Sequence, residues 1–213
     1  MDHQPIKNVV ILGGGTAGWM SASLLAKLLG QQLNITLIES STIGTVGVGE
    51  ATIPPLQIFN NVLGINEHDF LKATKGTYKL GIEFENWGKQ GDSYMHAFGN
   101  IGKDLGLTPF HHYWKRANPD NNTTSLWDFS LNYQTAKQNK FAQLPQIANT
   151  GLQGLVHAYH FDAGLYANYL RDYCEKLGVK RIDAKVTHVH KNAETGHIES
   201  LSLDNGGTIS GEL

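Results

Sequence analysis

The segment "NVVILGGGTAGWM", residues 8–20, constrains the fold more than any other stretch of the chain. Branched apolar residues run straight into Gly13, Gly14 and Gly15. After Gly18 the apolar residues Trp19, Met20, Leu24, Leu25, Leu28 and Leu29 recur at helical spacing. A strand, a glycine turn and a helix in that order predict a βαβ unit, with "NITLIES" (34–40) as its second strand and Gly30 closing the helix. Parallel strands joined this way need helices on their faces, so the fold class is α/β.

Gly13, Gly15 and Gly18 satisfy G-x-G-x-x-G, with Thr16 and Ala17 between the last two. Each glycine has its own mechanical role, which in turn are a tight bend, close approach of backbone to a pyrophosphate, and close packing of helix on strand. The free N–H groups and positive partial charge of the helix N-terminus then favour phosphate. Glu39 ends the second strand, about 20 residues past the last glycine, where a carboxylate accepts hydrogen bonds from an adenosine ribose. These residues predict a dinucleotide, NAD or FAD. A second glycine loop, "GTVGVGEAT", places Gly44, Gly47 and Gly49 where backbone can wrap a long flexible ligand such as a ribityl chain, which favours FAD; an ordinary loop is the alternative.

Composition narrows the partners. Seventeen basic against nineteen acidic residues leave a formal net charge of −2, which gives no electrostatic case for nucleic acid or an anionic membrane surface. Cys174 is the only cysteine in the 213 residues, so no intrachain disulfide forms, and a reducing, cytoplasmic setting fits. The apolar run "VVIL" is too short to span a membrane. Of ten histidines, His111 and His112, His157 and His160, and His188 and His190 form pairs, but nothing fixes a third ligand, so no metal is predicted. No G-x-S-x-G elbow is present for a serine hydrolase.

Along the chain, the loop up to Pro54 and Pro55 leaves no room for regular structure, and residues 56–75 read as helix. Residues 98–150 lose periodicity and read as an insertion covering a site or presenting substrate contacts. A helix follows over "FDAGLYANYLRDYCEKLGV", capped by Asp162 and stopped at Gly178, and then an alternating β-meander. This predicts a dinucleotide-binding core over 1–97, the insertion over 98–150, and a return helix with meander over 151–213. The last residues read as the start of another strand, so the chain is expected to be the front part of a larger protein.

The segment "TYKLGIEFENW", residues 77–87, raises a separate question. At period two Tyr78, Leu80, Ile82 and Phe84 share one face, while Lys79 falls with Thr77, Gly81, Glu83 and Glu85 on the other. Lys79 then has no partner on its own strand, because Glu83 is about 13 Å away, and a gap is expected beside it at Gly81. The two readings are a solvated lysine and a functional one.

Five segments together resemble the flavin-dependent tryptophan halogenases: "GGGTAGWM", "VGVGEATIP", "YKLGIEFENW", "HAFG" (96–99) and "AYHFDA" (158–163). The resemblance runs through essentially the whole chain and implies a Rossmann-like FAD-binding fold of the flavin monooxygenase type, incomplete at the C-terminus. It implies that reduced FAD, oxygen and chloride or bromide generate hypohalous acid, which reaches an essential lysine, here Lys79, beside an aromatic substrate such as tryptophan. It further implies substrate contacts from His96 and Phe98, and flavin contacts from Gly49, Glu50, Ala51 and Val186 beside the glycine motif. A separate flavin reductase supplies the reduced FAD. The family's catalytic glutamate and its WxWxIP signature are absent from this sequence, so the chain alone is expected to be inactive. An FAD-dependent aromatic monooxygenase and a non-catalytic FAD-binding fragment are the alternative functions.

Overall fold

The computed structural model describes residues 5–30, 32–43, 49–119 and 124–213, the side chains of 49 and 50 excepted. The elements in chain order are β1 (Asn8–Leu12), α1 (Thr16–Leu29), β2 (Asn34–Glu39), β3 (Gly49–Ala51), α2 (Pro55–Leu63), α3 (Glu67–Thr74), β4 (Thr77–Lys79), β5 (Gly81–Glu85) and β6 (Ser93–Ala97). After these come α4 (Phe110–Ala117), a 3-10 turn (Leu126–Phe129), α5 (Leu131–Lys137), β7 (Ala158–Asp162), α6 (Ala163–Lys176), β8 (Lys180–Asp183), β9 (Val186–Lys191), β10 (Ile198–Leu203) and β11 (Thr208–Ile209). They group into two compact units, one formed by residues 1–50, 59–76 and 161–213, the other by 51–58 and 77–160.

The first unit is built on the βαβ pattern. β1 and β2 pair in parallel from Asn8 opposite Asn34 to Leu12 opposite Ile38, and β8 adds to the far side of β2, giving the order β1-β2-β8. The buried stripe of α1 differs from the leucine pattern: Trp19, Ala22, Ser23 and Ala26 face inward, whereas Leu28 and Leu29 are exposed. The reason is close packing against α6, which small residues permit and leucines would prevent; the Cys174 thiol donates to the Trp19 carbonyl at 3.8 Å. Phe70 of α3 completes this core, meeting Phe161 and Tyr166 edge-on at 5.5 and 5.3 Å. Asp162 caps α6 by accepting from the Leu165 N–H, and Gly178, at φ +90°, turns the chain into β8. The antiparallel meander β9-β10-β11 packs Val186, Val189 and Ile209 around Leu201, Leu203, Ala184 and Ile38.

Two expectations change here. Residues 56–75 are two helices, because Gly64 takes φ +73° and the Asn66 side chain caps a new start by accepting from the N–H groups of His68 and Asp69. The loop ahead of Pro54 contains a short strand, β3, in the sheet order β3-β7-β4. Three residues held by a neighbouring strand carry no local signal.

In the second unit β4 pairs antiparallel with β7, Thr77 opposite His160, Tyr78 opposite Tyr159 and Lys79 opposite Ala158. Residues 77–87 are therefore not one strand. The ladder ends at Lys79, and β5 opens a separate hairpin with β6, from Gly81 opposite Ala97 to Glu85 opposite Ser93. The 98–150 stretch carries α4, the 3-10 turn and α5, short helices, two of them capped by serine: Ser125 accepts from the Trp127 N–H and Ser130 from the Tyr133 N–H. Among the described residues no helix is long and apolar enough to cross a membrane.

Candidate active site: a glycine turn and a buried lysine

The glycine turn is shaped by backbone rather than side chains. Gly13 sits at φ +122°, a conformation open in practice only to glycine. Its N–H donates to the Ile38 carbonyl at 2.9 Å, which ties the turn to β2. A Cβ on Gly18 would fall 1.9 Å from the Gly13 carbonyl oxygen, so helix and turn meet at a distance that no other residue allows. Gly15 caps α1 without supplying a side-chain acceptor, and a Cβ there would meet open space. The first-turn N–H groups, with no partner inside the helix, remain for a ligand. Thr16 anchors the turn by donating to the Ala163 carbonyl at 3.4 Å. This open, donor-rich cradle fits a pyrophosphate.

Glu39 stands at the end of β2, where an adenosine ribose would be met. Its carboxylate accepts from Trp19 Nε1 at 3.3 Å and from Arg181 Nε at 2.5 Å. That ion pair and a second one to Asp183 raise the Arg181 pKa, with the Glu39 hydrogen bond as the largest cause. Gly14 also belongs to the site, because a Cβ there would lie 1.5 Å from Glu39 Oε2. The G-x-G-x-x-G pattern treats that position as free; only the distance from Glu39 reveals its requirement. Gly44 and Gly47 lie outside the described residues, as does the Glu50 side chain; Gly49 and Ala51 lie in β3, and Val186 packs in the meander core.

Lys79 is only 6% exposed, which overturns its placement on a polar strand face. The expected gap at Gly81 is filled, since a Cβ there would come within 2.5 Å of Met95 Cε and 2.7 Å of the His96 carbonyl oxygen. The amine instead donates to the Thr52 carbonyl at 3.0 Å and lies 5.7 Å from the centroid of the buried Phe98 ring. That distance is within cation–π range. Burial lowers the Lys79 pKa, so more of its amine is neutral at any pH than in a free lysine. His160 is pushed down too, by burial first and then by the Lys79 charge. His96 is exposed on β6 opposite Ile82, so of the two expected substrate contacts Phe98 alone is next to the amine.

Thr52 was not singled out by sequence. Its N–H and hydroxyl both donate to the Tyr159 carbonyl at 3.0 Å, and the hydroxyl accepts from the Tyr159 N–H at 3.0 Å. Three hydrogen bonds thereby fix the carbonyl that receives Lys79. Threonine within "GEATIP" was the available signal; its pairing with Tyr159, 107 residues away, was not.

One chain thus carries an open, donor-rich glycine turn and a desolvated lysine amine. The tryptophan halogenase family model covers residues 8–213. The chain belongs to the tryptophan halogenase family. It is 36% identical over 98% of its length to the tryptophan 7-halogenase RebH of Lentzea aerocolonigenes, of which it covers 41%. It is 35% identical over 96% of its length to the tryptophan 6-halogenase SttH of Streptomyces toxytricini, of which it covers 42%. Among solved structures, Xcc4156, a flavin-dependent halogenase from Xanthomonas campestris, superposes with TM-score 0.87 at 45% identity, covering 99% of this chain and 41% of that one. BrvH, a flavin-dependent halogenase from Brevundimonas sp. BAL3, gives 0.86 at 40% identity, covering 98% and 41%. The chain has the fold of the corresponding part of these halogenases and spans about 41% of their length.

Among the described residues no three histidine, cysteine or carboxylate side chains converge as a metal site. His188 and His190 share one strand face with rings 4.6 Å apart, but His190 Nε2 is engaged with the Ser202 hydroxyl at 2.7 Å.

Proposed function

We propose that this chain is the FAD-binding, lysine-bearing portion of a halogenase that modifies tryptophan or another electron-rich aromatic. The observation that carries the proposal is the buried Lys79 amine, held by the Thr52 carbonyl against Phe98. The similarity to named tryptophan halogenases supports the reaction class. FAD, delivered reduced by a separate flavin reductase, would supply the electrons with which oxygen and halide give hypohalous acid.

What this chain's residues contribute follows from their chemistry. The glycine turn from Gly13 to Gly18, with Glu39, Gly49, Glu50, Ala51 and Val186, would hold the cofactor. A neutral Lys79 amine attacks the halogen of hypohalous acid, forming an N–halogen bond as the halogen–oxygen bond breaks; the amine proton and hydroxide leave as water. An ammonium would instead donate a hydrogen bond to the acid's oxygen and polarise it. The lowered pKa favours the first route. Phe98, with His96, would offer a ring to the flat substrate. The setting is a soluble, cytoplasmic one, without nucleic acid or membrane partners.

The test uses the full-length protein with reduced FAD, bromide or chloride, and a panel of indoles. Halogenated product should appear and should vanish in Lys79→Ala; a variant that keeps its activity removes Lys79 from the mechanism. Halide-independent hydroxylation would indicate a monooxygenase instead.

A second reading rests on the 41% span: the 213-residue chain is an FAD-binding fragment without turnover. On this reading it binds FAD weakly and makes no product. A flavin absorbance titration of the chain showing tight one-to-one binding contradicts the weak-binding half.

A further inference from the structure

Lys79 is the last residue of β4, and Leu80 alone separates it from β5, which pairs with a different strand. The Leu80 carbonyl sits at that junction and has two donors: the Phe98 N–H at 2.9 Å and Asn132 Nδ2 at 3.1 Å. Asn132 is 2% exposed and comes from α5. Its amide is fully used. Nδ2 also donates to the Val156 carbonyl at 2.5 Å, and Oδ1 accepts from the Val156 N–H at 3.1 Å. Val156 lies two residues before Ala158, the strand partner of Lys79. One side chain therefore extends the β4–β7 ladder past its last backbone pair and ties the lysine's strand, its partner strand and the Phe98 backbone to one point.

We propose that Asn132 is the positioning residue for Lys79: by bridging Leu80 and Val156 it fixes the junction of β4 and β5, and with it the direction of the amine toward the Thr52 carbonyl and Phe98. No other side chain of this shape supplies both the donors that two carbonyls need and the acceptor that one N–H needs. Aspartate keeps the acceptor but sets a charge against two carbonyl oxygens; alanine leaves three backbone groups without this partner. The proposal deepens the reading of Lys79 as the reactive amine, and its test is independent of turnover.

The experiment measures the reactivity of the Lys79 amine in the 213-residue chain by trace acetylation across pH, with the site resolved by mass spectrometry. The wild type, Asn132→Ala, Asn132→Asp and Ser130→Ala are compared. Ser130 caps the same helix at the Tyr133 N–H without touching Leu80, so its variant reports loss of helix stability alone. In both Asn132 variants the Lys79 titration should move up toward 10.5, and its limiting rate at high pH should rise about threefold or more as the amine opens to solvent. Ser130→Ala should leave both quantities at their wild-type values. Should the alanine variant fail to fold, the aspartate variant carries the comparison. Unchanged Lys79 titration in the Asn132 variants, or an equal change in Ser130→Ala, overturns the proposal. Loss of activity in Lys79→Ala bears only on the function, so the two ideas fail separately.

Discussion

The glycine turn of the first unit and the lysine sheet of the second solve opposite problems. At the turn, backbone is laid bare. Side chains are excluded from Gly13, Gly14 and Gly18, Gly15 opens onto free space, and the donors are peptide N–H groups of α1. At the sheet, one ionisable group is taken out of water. That draws on distant segments: the Thr52 carbonyl and the Phe98 ring at the amine, with Tyr159 holding Thr52 and Asn132 holding Leu80. Excluding a side chain is a local rule and withstands little change of residue type. Enclosing an amine is a long-range arrangement, and its parts tolerate graded loss.

The contrast is broken most readily at Gly18. A methyl group 1.9 Å from the Gly13 oxygen cannot be accommodated without parting helix from turn, so Gly18→Ala should cost about 3 kcal/mol in a denaturant-unfolding measurement. A cost under about 0.5 kcal/mol would mean that the turn yields, and the distinction between the two regions would fail.

The sheet should respond less steeply. Thr52→Val keeps the shape and the backbone bond to Tyr159 but removes the hydroxyl that both donates to and accepts from that residue. The expected cost is about 1.5 kcal/mol, measured in the same way, with the Lys79 hydrogen bond retained because it goes to a backbone carbonyl.

The last effect has the opposite sign. Lys79 has a folded-state pKa below its unfolded value of 10.5, so the unfolded chain binds more protons in the interval between them, and stability gains as pH rises through it. Below the folded pKa the penalty for the buried charge is fully present. Lys79→Met should therefore stabilise the chain near neutral pH, by about 1.4 kcal/mol for each unit of depression, with the advantage fading as pH approaches 10.5. Thermal melts of both proteins across that range give the comparison; a pH-independent difference would show that the amine is not desolvated.

The same contrast explains what could be read without coordinates. β1, α1 and β2 were legible because glycine, branched apolar residues and helical spacing act over a few residues. Asp162 as a cap and Gly178 as a stop were legible for the same reason. Lys79 was visible as a candidate, and its burial was not. Period-two alternation assumes one continuous strand, whereas β4 and β5 pair with different strands, and the Leu80 carbonyl between them is held by Asn132, 52 residues away. Thr52 and Asn132 were missed because a threonine in a loop and an asparagine in a helix look ordinary until the strand they bridge is known. The inward stripe of α1 was misread because apolar spacing selects Leu28 and Leu29, while the close approach of α6 selects Ala22, Ser23 and Ala26.

Cys174 lies fully covered against Trp19, and burial pushes its thiol up to about 12. A lone sulfhydryl that is protonated and shielded in the native state reacts with alkylating reagents only when α6 lifts away from α1. The chain thus carries its own unfolding clock: the rate at which iodoacetamide marks this one position reports how often the nucleotide-side unit opens, and a ligand that settles on the glycine turn should slow it without any label being engineered in.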